Sequence, residues 1–347
     1  MKKTNIILIS HGLIIFFISS YVMYELKALF LPFTVAVLFS ILFYPLMITL
    51  KKNKIPLAIS LFTVILIFAI SFLLLGFILY TSAEPFVKGL PGYQTKLNQI
   101  VQNVSLFLSS IVKTFGFQIG DIDIKTLLGA TAVTADALST TLKSFVDFLS
   151  KAGLVILFML FMLSGTLDLH HKIRKAYPHN ISSKINTALN NIGEKVRRFL
   201  VTKIILSGSI GLLTMLILWI LGVDFPVFWG FVAFLFSFVP QIGPLISVGL
   251  PVIFSILQYD DLTIPVLVLI SLSILFMIVG NIIQPKIMAE ALNLSPLLVL
   301  VGLVFWGLLW GIWGMILAIP LTTTIKIIFE NIEPLKPISV LMGAKTD

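Results

Sequence analysis

The chain contains no cysteine. Disulfides, thiol catalysis and cysteine-ligated metals are therefore excluded. Charge is scarce: Asp, Glu, Lys and Arg make up 11% of 347 residues, against about 25% in an ordinary soluble domain. His170-His171 has no carboxylate at ligand spacing, so no metal site is expected. Phosphate-binding glycine loops and HExxH sequences are missing too, which argues against ATP hydrolysis and zinc-dependent proteolysis. No catalytic residue and no cofactor are expected, and the chain does not read as an enzyme.

Apolar length takes the place of charge. Hydrophobic residues account for 58% of the sequence, and the mean hydropathy is +1.09. Several runs reach the ~20 residues needed to cross about 30 Å of hydrocarbon. The class is an all-α integral membrane protein. Spans are expected at 5–24, 28–50, 56–81, 152–167, 203–222 and 263–283, with two longer broken segments at 226–258 and 296–330. That makes about eight membrane segments. The first follows Lys2-Lys3 but lacks a small-x-small cleavage site, so it reads as a retained helix.

The few charges set the orientation. Lys51, Lys52 and Lys54 lie between the second and third spans, which places that loop and the N-terminus in the cytoplasm. Between 168 and 203 stand Lys172, Arg174, Lys175, Lys184, Lys195, Arg197, Arg198 and Lys203 against only Asp168 and Glu194. This stretch is also inside. Ile181, Ile185, Leu189, Ile192, Val196 and Phe199 give it an apolar face, so it reads as an amphipathic helix on the inner leaflet. Anionic membrane lipid, attracted by about 1 kcal/mol per basic residue, is its expected partner. The net charge of +9 sits in such loops and carries no nucleic-acid signal. No span shows an acid or base in its interior, so no dense proton relay is expected.

The stretch from Glu84 to Lys151 is polar and lies outside. Tyr93, Leu97, Ile100, Val104 and Ile111 form one helical stripe, and Leu128, Ala135, Leu138, Leu142 and Leu149 form a second. They predict a helical hairpin turning near Gly116 to Gly120, packed on the outer face or on neighbouring subunits. The chain divides into three N-terminal spans (1–82), this hairpin (83–151), the fourth span with the basic helix (152–202), a transport core (203–332) and a cytoplasmic tail (333–347).

The two broken segments are the most informative feature. Hydrocarbon offers no partner to a backbone N–H or C=O. A break at mid-depth therefore survives only where the freed groups face protein or a water-filled cavity, and paired breaks point to a transporter's binding site. In the first segment, Pro240 and Pro244 flank Gln241 and Gly243. Proline removes a donor and clashes with the preceding turn. The tip touches substrate or ion, or it is a structural turn. In the second segment, Gly311, Gly314, Pro320 and Thr322 stand beside Trp306, Trp310 and Trp313. Asn281 and Gln284 end the intervening span beside Pro285 and offer amides to a cation or polar solute. Glu290 is the acid between the last two segments and the candidate proton carrier.

Charges also discriminate two threadings. Complete crossings would place Asp260 and Asp261 inside and Lys286 outside. Re-entrant hairpins place Asp224, Asp260 and Asp261 outside, with Lys286, Lys336 and Lys345 inside. The second obeys the positive-inside rule and makes an inverted repeat of two units, each a span plus a hairpin.

Three passages resemble the AI-2E family of bacterial membrane proteins, permeases and exporters named for autoinducer-2 transport. They are Leu31-Pro32-Phe33 with Ala36 and Pro45; Phe238 to Pro244 with Pro251; and Ile283-Gln284-Pro285-Lys286 through Ser295-Pro296 to Gly311, Gly314, Leu317 and Pro320. Two positions depart: Ala289 where the family is expected to have Gly, and Ser295 where it often has His. The resemblance implies an oligomeric inner-membrane protein, termini in the cytoplasm, that moves a small solute outward. Within the family, links exist to signalling furanones and to sodium–proton exchange. The expected function is a secondary transporter of a small polar solute or ion, with no ATP hydrolysis. The alternatives are a sodium–proton antiporter and a non-transporting oligomeric scaffold.

Overall fold

The computed structural model describes residues 3–114, 151–239, 242–288 and 294–343. Among them every regular element is helical: α1 (Lys3–Glu25), α2 (Lys27–Lys52), α3 (Leu57–Thr114), α4 (Ala152–Ala176), α5 (His179–Ile220), α6 (Pro226–Phe236), α7 (Ile242–Gln258), α8 (Thr263–Met277), α9 (Gln284–Met288), α10 (Pro296–Trp310), α11 (Ile312–Asn331) and α12 (Lys336–Leu341). A π-helical stretch, Ile278–Ile283, joins α8 to α9. Five helices among the described residues are long and apolar enough to cross a bilayer: Lys27–Lys52, Leu57–Tyr93, His179–Ile220, Thr263–Ile283 and Ile312–Asn331. The protein is a helical, multi-pass membrane protein.

Local chemistry sets the boundaries. Tyr177 is extended, as the residue before Pro178 must be, and α5 starts afresh beyond it. Pro226 and Pro296 open α6 and α10 at positions where a missing N–H costs nothing. The Ser295 side chain caps α10 by accepting from the Leu298 N–H at 3.2 Å. The π-helical stretch has a cause in Pro285, whose ring and missing N–H cannot fit the α register behind Asn281.

Two boundaries differ from the sequence reading. The third span does not end near 81: α3 runs on through Pro85 and Pro91 to Thr114, 58 residues in one helix. At ~1.5 Å per residue that is about 87 Å, far beyond a bilayer's thickness. The apolar composition stops, but helix continuity depends on backbone hydrogen bonds rather than on hydrophobicity. The first polar stripe is thus an extension of the third span. The expected turn at 116–120 and the second stripe lie outside the described residues. Likewise, the basic amphipathic segment is no separate helix: from His179 it continues into the fifth span as one 42-residue rod. The basic residues are therefore carried on the same rod as the span. Its apolar residues Val196 and Phe199 are buried against protein.

Helix α5 is the central post. It packs against α2 and α4 on one side and against α6, α8 and α11 on the others.

Candidate functional site

The span of α5 has two faces. Ile205, Leu212, Leu213 and Trp219 are exposed. Lys203, Ser207, Gly211 and Thr214, spaced by four, four and three, are buried. Such a distribution is what lipid selects, apolar outward and small or polar inward. The Ser207 and Thr214 hydroxyls have no hydrogen-bond partner among the described residues, and neither do those of Ser247 on α7 and Thr323 on α11. A buried unsatisfied polar group costs about 1–3 kcal/mol. The expectation that no span buries an acid or base is corrected here: Lys203 is 3% exposed. The polar run and the apolar run meet at that residue, so by sequence it groups with the basic loop.

Helices α6 and α7 fold back on each other. Asp224 N–H, just before α6, donates to Gln258 Oε1 at the end of α7 over 2.8 Å. Gln258 Nε2 returns a bond to the Gly222 carbonyl at 2.8 Å. The two ends of this hairpin therefore meet. The C-terminal half of α3 clamps them: Lys96 bonds Asp260 and the Tyr259 carbonyl, each at 2.7 Å, and Phe86 stacks on Phe228 at 4.4 Å. Helix α6 meets α5 backbone to backbone, since a Cβ on Gly211 or on Gly230 would lie 2.7 Å from the other's carbonyl oxygen.

At the opposite end of this hairpin, Gly243 is buried and Pro244 exposed in the first turn of α7, where proline is tolerated. A Cβ on Gly243 would fall 2.1 Å from the Phe236 carbonyl oxygen. Only glycine permits this approach. Lys203 Nζ donates to the Ser237 carbonyl at 2.7 Å and lies 5.6 Å from the centroid of the Phe238 ring. Ser237 is the C-cap of α6, so a cation meets the negative end of a half-helix. Pro240 and Gln241 lie outside the described residues.

Helices α10 and α11 form the second hairpin. The chain reverses at Gly311, whose φ of +66° favours glycine. A Cβ on Gly314 would lie 1.8 Å from the Trp306 carbonyl oxygen, repeating the Gly243 arrangement. Trp306 Nε1 donates to Thr322 Oγ1 at 3.3 Å, and Trp310 Nε1 to the Met23 carbonyl at 3.2 Å. Thr322 and two of the Trp stripe are thereby engaged in packing. Pro320 is buried inside a continuous helix, and its carbonyl accepts from Thr324 Oγ1 at 2.6 Å. A second buried cation, Lys326, bonds Glu330 at 2.8 Å, and Lys195 of α5 reaches the same carboxylate at 3.3 Å.

The expected site residues are not gathered at one point. Gly243 and Pro244 belong to the first hairpin; Gly311, Gly314, Pro320 and Thr322 belong to the second. Both hairpins pack on α5, which is what they share. Asn281 is exposed and Gln284 half-buried in the π-to-α9 passage. Glu290 lies outside the described residues. Among the described residues no cluster of three metal-ligating side chains exists. Sequence reasoning missed Lys203, Ser207 and Thr214, although their spacing within an apolar run was visible.

Comparison with known proteins agrees with this architecture. The sequence model of the AI-2E family transporters matches residues 12–333. The "Putative transport protein" of Borreliella burgdorferi is 32% identical over 318 residues, which cover 91% of this chain and 85% of that one. The "AI-2 transport protein TqsA" of Escherichia coli is 29% identical over 318 residues, 90% of this chain and 88% of its own. With a family match over nearly its whole length and spans to fit, the chain belongs to the AI-2E family of transporters, as a membrane permease.

Proposed function

We propose that this protein is a secondary transporter of the bacterial inner membrane, moving a small polar solute outward without ATP hydrolysis. The solute uses the buried face of α5, exposed when the first hairpin moves away from it. The observation that carries this reading is the row Lys203, Ser207 and Thr214, buried on one face with two hydroxyls unpartnered. Buried hydroxyls that cost free energy while unpaired recover it when a polar solute bonds them.

Hairpin geometry supports re-entrant threading. Helices of 11 and 17 residues, α6 and α7, are each too short to cross alone, and their outer ends meet at Asp224 and Gln258. In the second unit the Ser295 N–H bonds the Met342 carbonyl at 2.9 Å, drawing the start of α10 toward the chain beyond α11. Both termini then lie in the cytoplasm. Autoinducer-2 is the first solute to try, because a relative of similar length is named for it. The tip at Pro240 to Pro244 touches the solute or ion, and Glu290 is the acid a proton-coupled version requires.

Flux into proteoliposomes under an imposed sodium or proton gradient tests the reading. Ser207→Ala/Thr214→Val removes hydroxyls that hold nothing in the fold, so stability should stay level or rise while flux falls. Unchanged flux would remove the α5 face from the path. A homo-oligomeric scaffold is the second reading, favoured by the about 87 Å length of α3. It predicts loss-of-function substitutions within 93–149 and 181–200 and none at the hairpins.

A further inference from the structure

Away from the hairpins, at the Lys-rich end of α2, a crevice of about 510 Å³ opens between α2, α4 and α5. Small-ligand sites run to about 300–1,000 Å³. Its floor is apolar, built from Ile41, Ile48 and Ile192. Of the seven side chains with donors that line it, four are Tyr44, Asn190, Arg197 and Lys52. None of the four is engaged in a hydrogen bond or ion pair among the described residues. The neighbouring hydroxyls are already committed, Thr49 to the Pro45 carbonyl at 2.9 Å and Thr166 to the Met162 carbonyl at 2.6 Å. Two cations face one carboxylate, Glu194.

Unused donors and a surplus of positive charge call for an anionic group. An apolar floor beside them calls for a hydrocarbon body. We propose that this crevice holds one anionic phospholipid. Its phosphate lies against Arg197 and Lys52, and its acyl region runs along the three isoleucines. The crevice stands where the apolar run of α2 gives way to Lys51-Lys52, the depth of a head group. Basic pockets between spans at the cytoplasmic surface are suited to phosphate-bearing heads. The lipid would brace α2 and α4 against α5, the post that carries the solute path. The inference uses the proposed orientation but does not depend on transport.

The test measures binding, independently of flux. Full-length protein is equilibrated with phosphatidylcholine vesicles containing phosphatidylglycerol, and retained lipid is counted by native mass spectrometry. Arg197→Gln/Lys52→Gln should weaken phosphatidylglycerol retention about thirtyfold at low salt, from the loss of two basic side chains. Gly193→Leu should displace the same lipid with both charges intact. Gly193 lines the crevice, and a Cβ there meets nothing within 4 Å. Lys51→Gln/Lys54→Gln removes equal charge from the same loop outside the crevice and should leave retention unchanged. Retention of phosphatidylglycerol by both crevice variants would overturn the proposal. So would equal loss in the control, which means diffuse attraction. Displacement by inorganic phosphate alone would also overturn it, in favour of a free-anion site.

Discussion

Lys203 Nζ sits 2.7 Å from the carbonyl oxygen of Ser237, placing a buried cation at the end of a half-helix. No carboxylate lies within ion-pair distance of it among the described residues. A lone buried charge is expensive, so the two roles open to it make opposite forecasts.

Lys203→Met keeps the side-chain volume and deletes the charge. The Ser237 carbonyl loses its bond, at about 1–3 kcal/mol, while the cost of burying an unpaired charge is removed. Thermal unfolding in detergent should therefore show no loss of stability. Proteoliposome flux should fall at least about tenfold, about 1.4 kcal/mol of barrier. A variant that unfolds early but transports normally when folded would make Lys203 a structural cap only.

Gly230→Ala sets a methyl 2.7 Å from the Gly211 carbonyl oxygen. Overpacking of this kind costs about 1–3 kcal/mol, so the unfolding temperature should drop. Gly249→Ala is the control: nothing lies within 4 Å of its Cβ. There the gain in helix propensity, about 1 kcal/mol, should stabilise. Equal behaviour of the two variants would show that α5 and α6 do not meet through glycines.

The absence of native cysteine makes threading directly measurable. In intact cells, Asp261→Cys should react with a membrane-impermeant maleimide, and Lys286→Cys only after permeabilisation. The reverse pattern would mean that both hairpins cross completely.

Acid should loosen the clamp between α3 and the first hairpin. The Lys96 ammonium, by hydrogen bond and by charge, holds the Asp260 carboxyl below the usual carboxylate range. A depressed folded value means the contribution is present above the unfolded value, about 3.9. It is lost as pH falls through the lower folded one. Protease susceptibility of the C-terminal half of α3 should thus rise below about pH 4. High salt should shrink the effect, since the pair is exposed. Lys96→Met should abolish the pH dependence.

Composition and run length were enough to determine the class of this protein. Apolar runs of ~20 residues have one physical solution, a hydrogen-bonded helix in lipid. Pro226, Gly243, Pro296 and Gly311 likewise announced where helices start and reverse, because backbone sterics are local. Packing was not legible in the same way. Whether Lys203 counted as loop or interior depended on which face of α5 met α6, and residues 34 apart in sequence decide that. The continuity of α3 past Glu84 was hidden because polarity ends a hydrophobic run without ending a helix. The crevice beside Arg197 joins three helices from two separate stretches of the chain. Only the tertiary structure could decide the placement of Lys203 and the crevice, since each is a contact between segments whose local sequences carry no record of one another.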